Sequence, residues 1–210
     1  MNIDHSIPTR ASEILISKIC HDLVSPVGAV NNGIEFLSEM GADGLADGLG
    51  LIEHSARQSS VRLQLFRMCY GAGGSDAKVT GKTIYETFQN YIDGTKCSME
   101  WDLLNAVPEE DPKAGFMKTL LNCMVLAQES MPKGGTVVIT MEQEGVMTIT
   151  GKAETVKPKE GAIEALKGDI SVDELTPKAI HSYITKAYAD LFGFEVSSTL
   201  SESEIVLVLK

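Results

Sequence analysis

The run Cys20-His21-Asp22-Leu23-Val24-Ser25-Pro26 sets an imidazole beside a carboxylate inside a long apolar-periodic segment. Such a pair suits nucleophilic chemistry, because a carboxylate that accepts the N–H of one ring nitrogen leaves the lone pair of the other open to an electrophile. On a helix, Leu15, Ile19, Leu23, Val27, Val30, Ile34 and Leu37 recur at threes and fours and form one stripe expected to be buried. His21 lies two positions from both Ile19 and Leu23, roughly 200° around the helix. Its ring is therefore expected to point outward. That outer face carries Ser17, Lys18, Ser25, Gly28 and Asn32, which are polar or small, with Val24 the one apolar member. These six residues are the expected docking surface for a partner. An isolated histidine on a helix is ordinarily only solvated, but two neighbours argue for more. Pro26 removes a helix hydrogen bond and leaves the Asp22 carbonyl without its usual donor. Gly28 costs about 1 kcal/mol relative to alanine in a helix interior.

The first helix is expected from Thr9 or Ser12 to about Met40, with Ser12 a possible cap, and Gly41-Ala42-Asp43-Gly44 ends it. A second segment follows with Leu45, Leu49, Ile52, Ala56, Ser59, Leu63, Phe66 and Tyr70 alternating by fours and threes, the spacing of a coiled-coil seam. Two long helices on a short turn make a hairpin that buries little alone, so a homodimeric four-helix bundle through residues 9–72 is expected. Gly71-Ala72-Gly73-Gly74-Ser75 reads as a flexible linker, which divides the chain into 1–75 and 76–210. Beyond it, helical patterns cover about 80–93, 111–131 and 176–192. Strand-like runs cover 97–103, 136–142, 146–150, 194–200 and 204–209, with turns at Gly134-Gly135 and Glu144-Gly145. Helices against a mostly antiparallel sheet describe an α+β sandwich.

Composition limits the partners. The 210 residues carry a net charge of −11, with 5 basic and 8 acidic side chains in residues 1–75 and 13 and 21 in residues 76–210. That balance argues against nucleic acid or an anionic membrane, which need a basic footprint. Cys20, Cys69, Cys97 and Cys123 form no C-x-x-C pair, as expected of reduced thiols. Cys20-His21 approaches a haem-attachment motif, but Ser17 stands where the first cysteine belongs. With no signal pattern and no apolar run near the ~18 residues of a membrane span, a soluble cytoplasmic protein is expected.

His21-Asp22-Leu23-x-Ser25-Pro26 resembles the H box of the dimerisation and phosphotransfer domains of two-component histidine kinases. The resemblance implies that His21 is the phospho-acceptor and that Asp22 orients or deprotonates it. The second half resembles the ATP-binding domain of the same kinases. Leu120–Ala127 followed by Pro132-Lys133-Gly134-Gly135-Thr136 is similar to the N box and its exit turn, and Tyr183–Ser198 to the last helix and hairpin. The nucleotide chemistry is not matched. The magnesium-binding asparagine falls on Leu126, with Asn122 one turn earlier, and a leucine offers no oxygen to a hard cation. No aspartate has glycine two places on, and Asp173-Glu174-Leu175-Thr176-Pro177-Lys178 stands where a glycine-rich lid should cradle phosphates.

A phospho-acceptor without its own donor must be charged by another protein. The combination resembles the ChpT-type histidine phosphotransferases of alphaproteobacteria. It implies a homodimer relaying phosphate between the receiver domain of a hybrid histidine kinase and the receivers of response regulators in a cell-cycle phosphorelay. It further implies no ATP, no autokinase activity, and Mg2+ supplied on the partner receiver, with the second domain as a side wall. Two other functions remain open from the residues: an ATP-dependent kinase with an atypical site, and a non-catalytic dimeric receiver-binding adaptor. Asp22-x-x-Ser25 also suits receiver dephosphorylation. His5, His54 and His181 receive no role.

Overall fold

A computed structural model describes residues 7–72, 79–102, 113–143 and 145–210. Helix α1 (Thr9–Met40) and helix α2 (Leu45–Tyr70) form an antiparallel hairpin across a 3-10 turn at Gly41–Gly44. Helix α1 begins after Pro8, and the Ser12 hydroxyl hydrogen-bonds back to the Pro8 carbonyl inside the first turn, so Ser12 is not the cap. The contact between the two helices is made by small residues. Pro26 and Gly33 of α1 and Gly48, Ser55 and Ser59 of α2 are buried, and a Cβ on Gly33 would sit 2.7 Å from Ile52. Close backbone approach leaves the larger side chains facing outward. Val27 and Ile34 of the expected stripe, and Leu49 and Leu63 of the expected seam, are about half exposed. The seam is thus not buried within one chain, because one hairpin has only one partner helix to offer it.

The second half is a two-layer α+β unit, as the alternating patterns indicated. Helix α3 (Gly81–Ile92) leads to strand β1 (Cys97–Trp101), then helix α4 (Phe116–Glu129) and strands β2 (Gly135–Gln143) and β3 (Val146–Lys152). Helix α5 (Ala162–Lys167) and helix α6 (Ile180–Phe192) precede strands β4 (Val196–Leu200) and β5 (Glu204–Leu209). The sheet runs β1-β2-β3-β5-β4, with β1 parallel to β2 and every other pair antiparallel. Alternate residues of β3 and β5 are buried on the helical side. Helix α5 escaped the periodicity reading because six residues are too few to show a period; its signal is the flanking pair Gly161 and Gly168, at φ 75° and 83°. Gly134, at φ 96°, is required by a close approach: a Cβ there would lie 2.3 Å from the Lys96 carbonyl.

Helix α4 is the axis of the core. Every residue from Phe116 to Ala127 is buried, as expected for a helix enclosed on all sides. Hairpin and sheet domain share that core, with Leu65 and Cys69 of α2 in the main cluster and Ala11 of α1 packed with Leu175, Ile180 and Ile184. The three carbonyls at the end of α2 are taken up by side chains of the second half. Asn122 donates to the Cys69 carbonyl at 3.1 Å, Tyr188 to Tyr70 at 2.9 Å and Lys118 to Gly71 at 3.0 Å. A helix end otherwise leaves such groups orphaned. Residue 71, expected to be flexible, is thereby held, while 73–75 and the boundary at 75/76 lie outside the described residues, as does His5. His54 is exposed on α2. Among the described residues no helix is long and apolar enough to cross a membrane.

His181 belongs to this junction and is fully buried. Its Nε2–H donates to the Asn122 carbonyl at 3.0 Å, and the Tyr70 hydroxyl donates to Nδ1 at 2.8 Å. Burial pushes the ring below its ordinary value of 6.5, with the nearby Glu129 charge opposing. The unfolded chain regains that value, so below it the unfolded state binds the extra proton. The stability His181 contributes is complete above pH 6.5 and is lost as pH falls below it toward the folded-state value. The thermal midpoint followed from about pH 8 to 5 is therefore expected to fall, and to fall less steeply in His181→Gln.

Candidate functional site

Pro26 is buried within α1, which runs through it without a break. Its missing N–H would have served the Asp22 carbonyl. That carbonyl instead accepts from Arg62 Nη1 of α2 at 2.5 Å. The neighbouring helix thus satisfies the group the proline orphans, and the backbone at Asp22 is tied to α2.

His21 stands on the outer face of α1 with its side chain 89% exposed. Its Nδ1 is 3.3 Å from Asp22 Oδ1. A carboxylate only accepts, so Nδ1 carries the proton in this contact and Nε2 keeps its lone pair. Among the described residues no hydrogen bond reaches Nε2. The second oxygen of Asp22, Oδ2, accepts from Lys18 Nζ at 2.8 Å. Lys18 also lies 3.4 Å from Glu129 Oε1 at the end of α4, and the same oxygen is 2.7 Å from Lys159 Nζ. Lys18 and Glu129 side chains are each 13% exposed.

The expected docking face divides. Ser17, Val24, Ser25 and Asn32 are exposed beside His21, Val24 at 68%. A Cβ on Gly28 would meet nothing within 4 Å, so no packing within this chain explains the glycine. Lys18 departs from expectation. It is drawn inward by the two carboxylates and joins the hairpin to the second domain, so it does not form part of the open face. Helical spacing alone placed it outward, but a long side chain reaches charge that periodicity does not see.

Charge is tightly compensated here. Burial lowers the Lys18 ammonium, but Glu129 and Asp22 outweigh it and hold the group above its usual value. Burial likewise opposes ionisation of Glu129, yet His181, Lys18 and Lys159 keep its carboxyl below the ordinary range. Beside this network lies a cleft of about 410 Å³ between the domains, lined in part by Lys18, Asp22, Arg62, Tyr91, Gln128 and Glu129. Arg62, Glu129 and Lys159 were not found from the sequence. The orphaned Asp22 carbonyl announced that a donor was needed but could not say which residue supplies it.

Farther from His21, Leu126 is buried in the core, and Asn122 turns to the end of α2 with its Oδ1 buried and unpartnered among the described residues. Residues Val172–Glu174 form a short 3-10 turn, and the following Leu175 packs against Ala11 of the hairpin.

Residues 81–204 match the family described as Histidine phosphotransferase C-terminal domain. The chain is 31% identical over 199 residues to the protein phosphotransferase ChpT of Brucella abortus (strain 2308), covering 92% of this chain and 91% of that one. It also superposes on a solved bacterial phosphotransferase with a TM-score of 0.78 at 26% identity, covering 98% of both chains. The chain is a member of the histidine phosphotransferase family of two-component signalling.

Proposed function

We propose that His21 is the relay point, receiving a phosphoryl group from the phospho-aspartate of one receiver domain and passing it to the aspartate of another. The observation that carries this is the exposed imidazole with Nδ1 against Asp22. The Nε2 lone pair attacks phosphorus in line, the bond from phosphorus to the aspartyl oxygen breaks, and the carboxylate leaves with the bonding pair. Such transfers depend on positioning and charge more than on covalent chemistry by the protein. Asp22 accepts the Nδ1–H hydrogen bond and so keeps the proton on Nδ1 and offsets the positive charge the ring gains on attack, and Ser17, Val24, Ser25, Gly28 and Asn32 receive the incoming domain. The receivers are those of a hybrid histidine kinase and of response regulators acting in the cell cycle, with the relay in the cytoplasm, as the resemblance to ChpT-type phosphotransferases implies.

Mg2+ and the phosphate come with the receiver, and this chain uses no ATP. Leu126 is apolar and enclosed where the kinases place a ligand oxygen, and Asp173–Lys178 carry acidic groups, a proline and a turn packed on the hairpin in place of a glycine lid. The hairpin works as a homodimer. Val27, Ile34, Leu49 and Leu63 stay half exposed in one chain and form the face that a second copy covers in a four-helix bundle.

Incubation with a panel of receiver domains charged by acetyl phosphate is expected to label the wild-type protein with base-stable, acid-labile phosphate. His21→Ala is expected to abolish labelling while leaving mass in solution unchanged. Measurable ATP binding, or labelling of the alanine variant, would overturn the relay. Gly28→Trp fills open space, so it is expected to keep the unfolding midpoint yet weaken receiver binding at least about tenfold, or 1.4 kcal/mol. Light scattering is expected to give a dimer for the wild type and a monomer for the double variant Val27→Glu, Ile34→Glu, because like charges would face one another in an apolar seam.

A further inference from the structure

Asp22 orients His21 only if it is itself held, by a contact to its backbone, a contact to its carboxylate and a further contact that fixes the second of these. Its carbonyl is fixed by Arg62, its Oδ2 by Lys18, and Lys18 in turn by Glu129 at the end of α4. Lys18 has four rotatable methylenes and would otherwise pair with Asp22 in many geometries. Two acceptors on opposite sides, in a place where it is 13% exposed, leave it few. Glu129 is itself anchored by Lys159 at 2.7 Å. The chain of contacts therefore runs Lys159, Glu129, Lys18, Asp22, His21, and crosses from the sheet domain to the nucleophile without a break longer than 3.4 Å.

We propose that Glu129 is a positioning residue for phosphotransfer at His21, acting through Lys18 to hold Asp22 in the orientation that keeps the proton on Nδ1. This deepens the relay assigned to His21 and rests on it. It gives the second domain a part in the chemistry that needs no nucleotide: it supplies the fixed charge against which the hairpin's own pair is set. Lys18 is the intermediary, and its ammonium must remain between the two carboxylates.

The test separates orientation from docking. Long-range proton–nitrogen NMR on uniformly labelled protein reads the His21 tautomer directly, and phosphoramidate serves as a small donor that needs no docking face. In that reaction Nε2 attacks phosphorus and ammonia leaves. The wild type is expected to show the Nδ1–H form. Glu129→Gln is expected to raise the Nε2–H form and to slow His21 phosphorylation by phosphoramidate about tenfold, the scale of a modest loss of alignment. Lys18→Met is expected to do the same and Lys18→Arg to retain both properties. Because Lys18→Met breaks the link without altering the second domain, a folding defect in Glu129→Gln does not leave the question open. A wild-type tautomer and rate in both Glu129→Gln and Lys18→Met would overturn the proposal. Failure of the relay itself shows differently, as a wild-type protein that takes no phosphate from any receiver while its tautomer still responds to Glu129→Gln.

Discussion

The end of α2 is where two domains become one molecule. Three successive carbonyls, of Cys69, Tyr70 and Gly71, accept hydrogen bonds from Asn122, Tyr188 and Lys118. Each such bond is worth about 1 kcal/mol net, but leaving a buried carbonyl unpaired costs about 1–3 kcal/mol, so the set is far harder to break than to dispense with. Lys118 adds a positive charge at the negative end of the helix dipole and lies 3.8 Å from the centre of the Tyr188 ring. Its ammonium is lowered to about 8 by burial. The hairpin therefore leaves the sheet domain at a fixed angle, and every contact between His21's neighbourhood and α4 depends on that angle.

Helix α4 serves as a socket for the end of α2. Asn122 spends both amide hydrogens on carbonyls, of Cys69 and Lys118, and its own carbonyl receives the His181 Nε2–H. Asn122 Oδ1 is buried, and Leu126 one turn on is enclosed by the core.

Much of this was legible beforehand, for physical reasons. Helices α1 and α2 announce themselves by long periodic runs, β3 by alternation of apolar residues with threonine, and β5 by an unbroken apolar run next to a turn. The orphaned Asp22 carbonyl could be inferred from Pro26 alone, since the missing donor is a matter of covalent structure. What the residues did not disclose is long-range charge. Arg62, Glu129 and Lys159 stand 40, 107 and 137 positions from Asp22, and only the folded chain brings Arg62 to Asp22, Glu129 to its partner Lys18, and Lys159 to Glu129. Lys18 was placed on the open face by angle, and two carboxylates overrode the angle. The half-exposed Val27 and Ile34 show the complementary case, where periodicity marks a face to be buried but one chain does not bury it.

The site reconciles two opposed demands. In the proposed relay the nucleophile must meet a protein-bound phosphate and so has to be exposed, as His21 is. An exposed histidine–carboxylate contact at 3.3 Å is nevertheless weak, because water screens it and competes for both partners. Strengthening the pair by burying it would remove the nucleophile from its substrate. The structure instead grades exposure along a line, from 89% at His21 through 27% at Asp22 to 13% at Lys18 and Glu129. On the proposed reading, orientation is fixed at the buried end, where charges interact strongly, and delivered at the open end, where the relay needs access. That gradient requires the second domain to close one side of α1 while leaving the other bare, which the anchored end of α2 enforces.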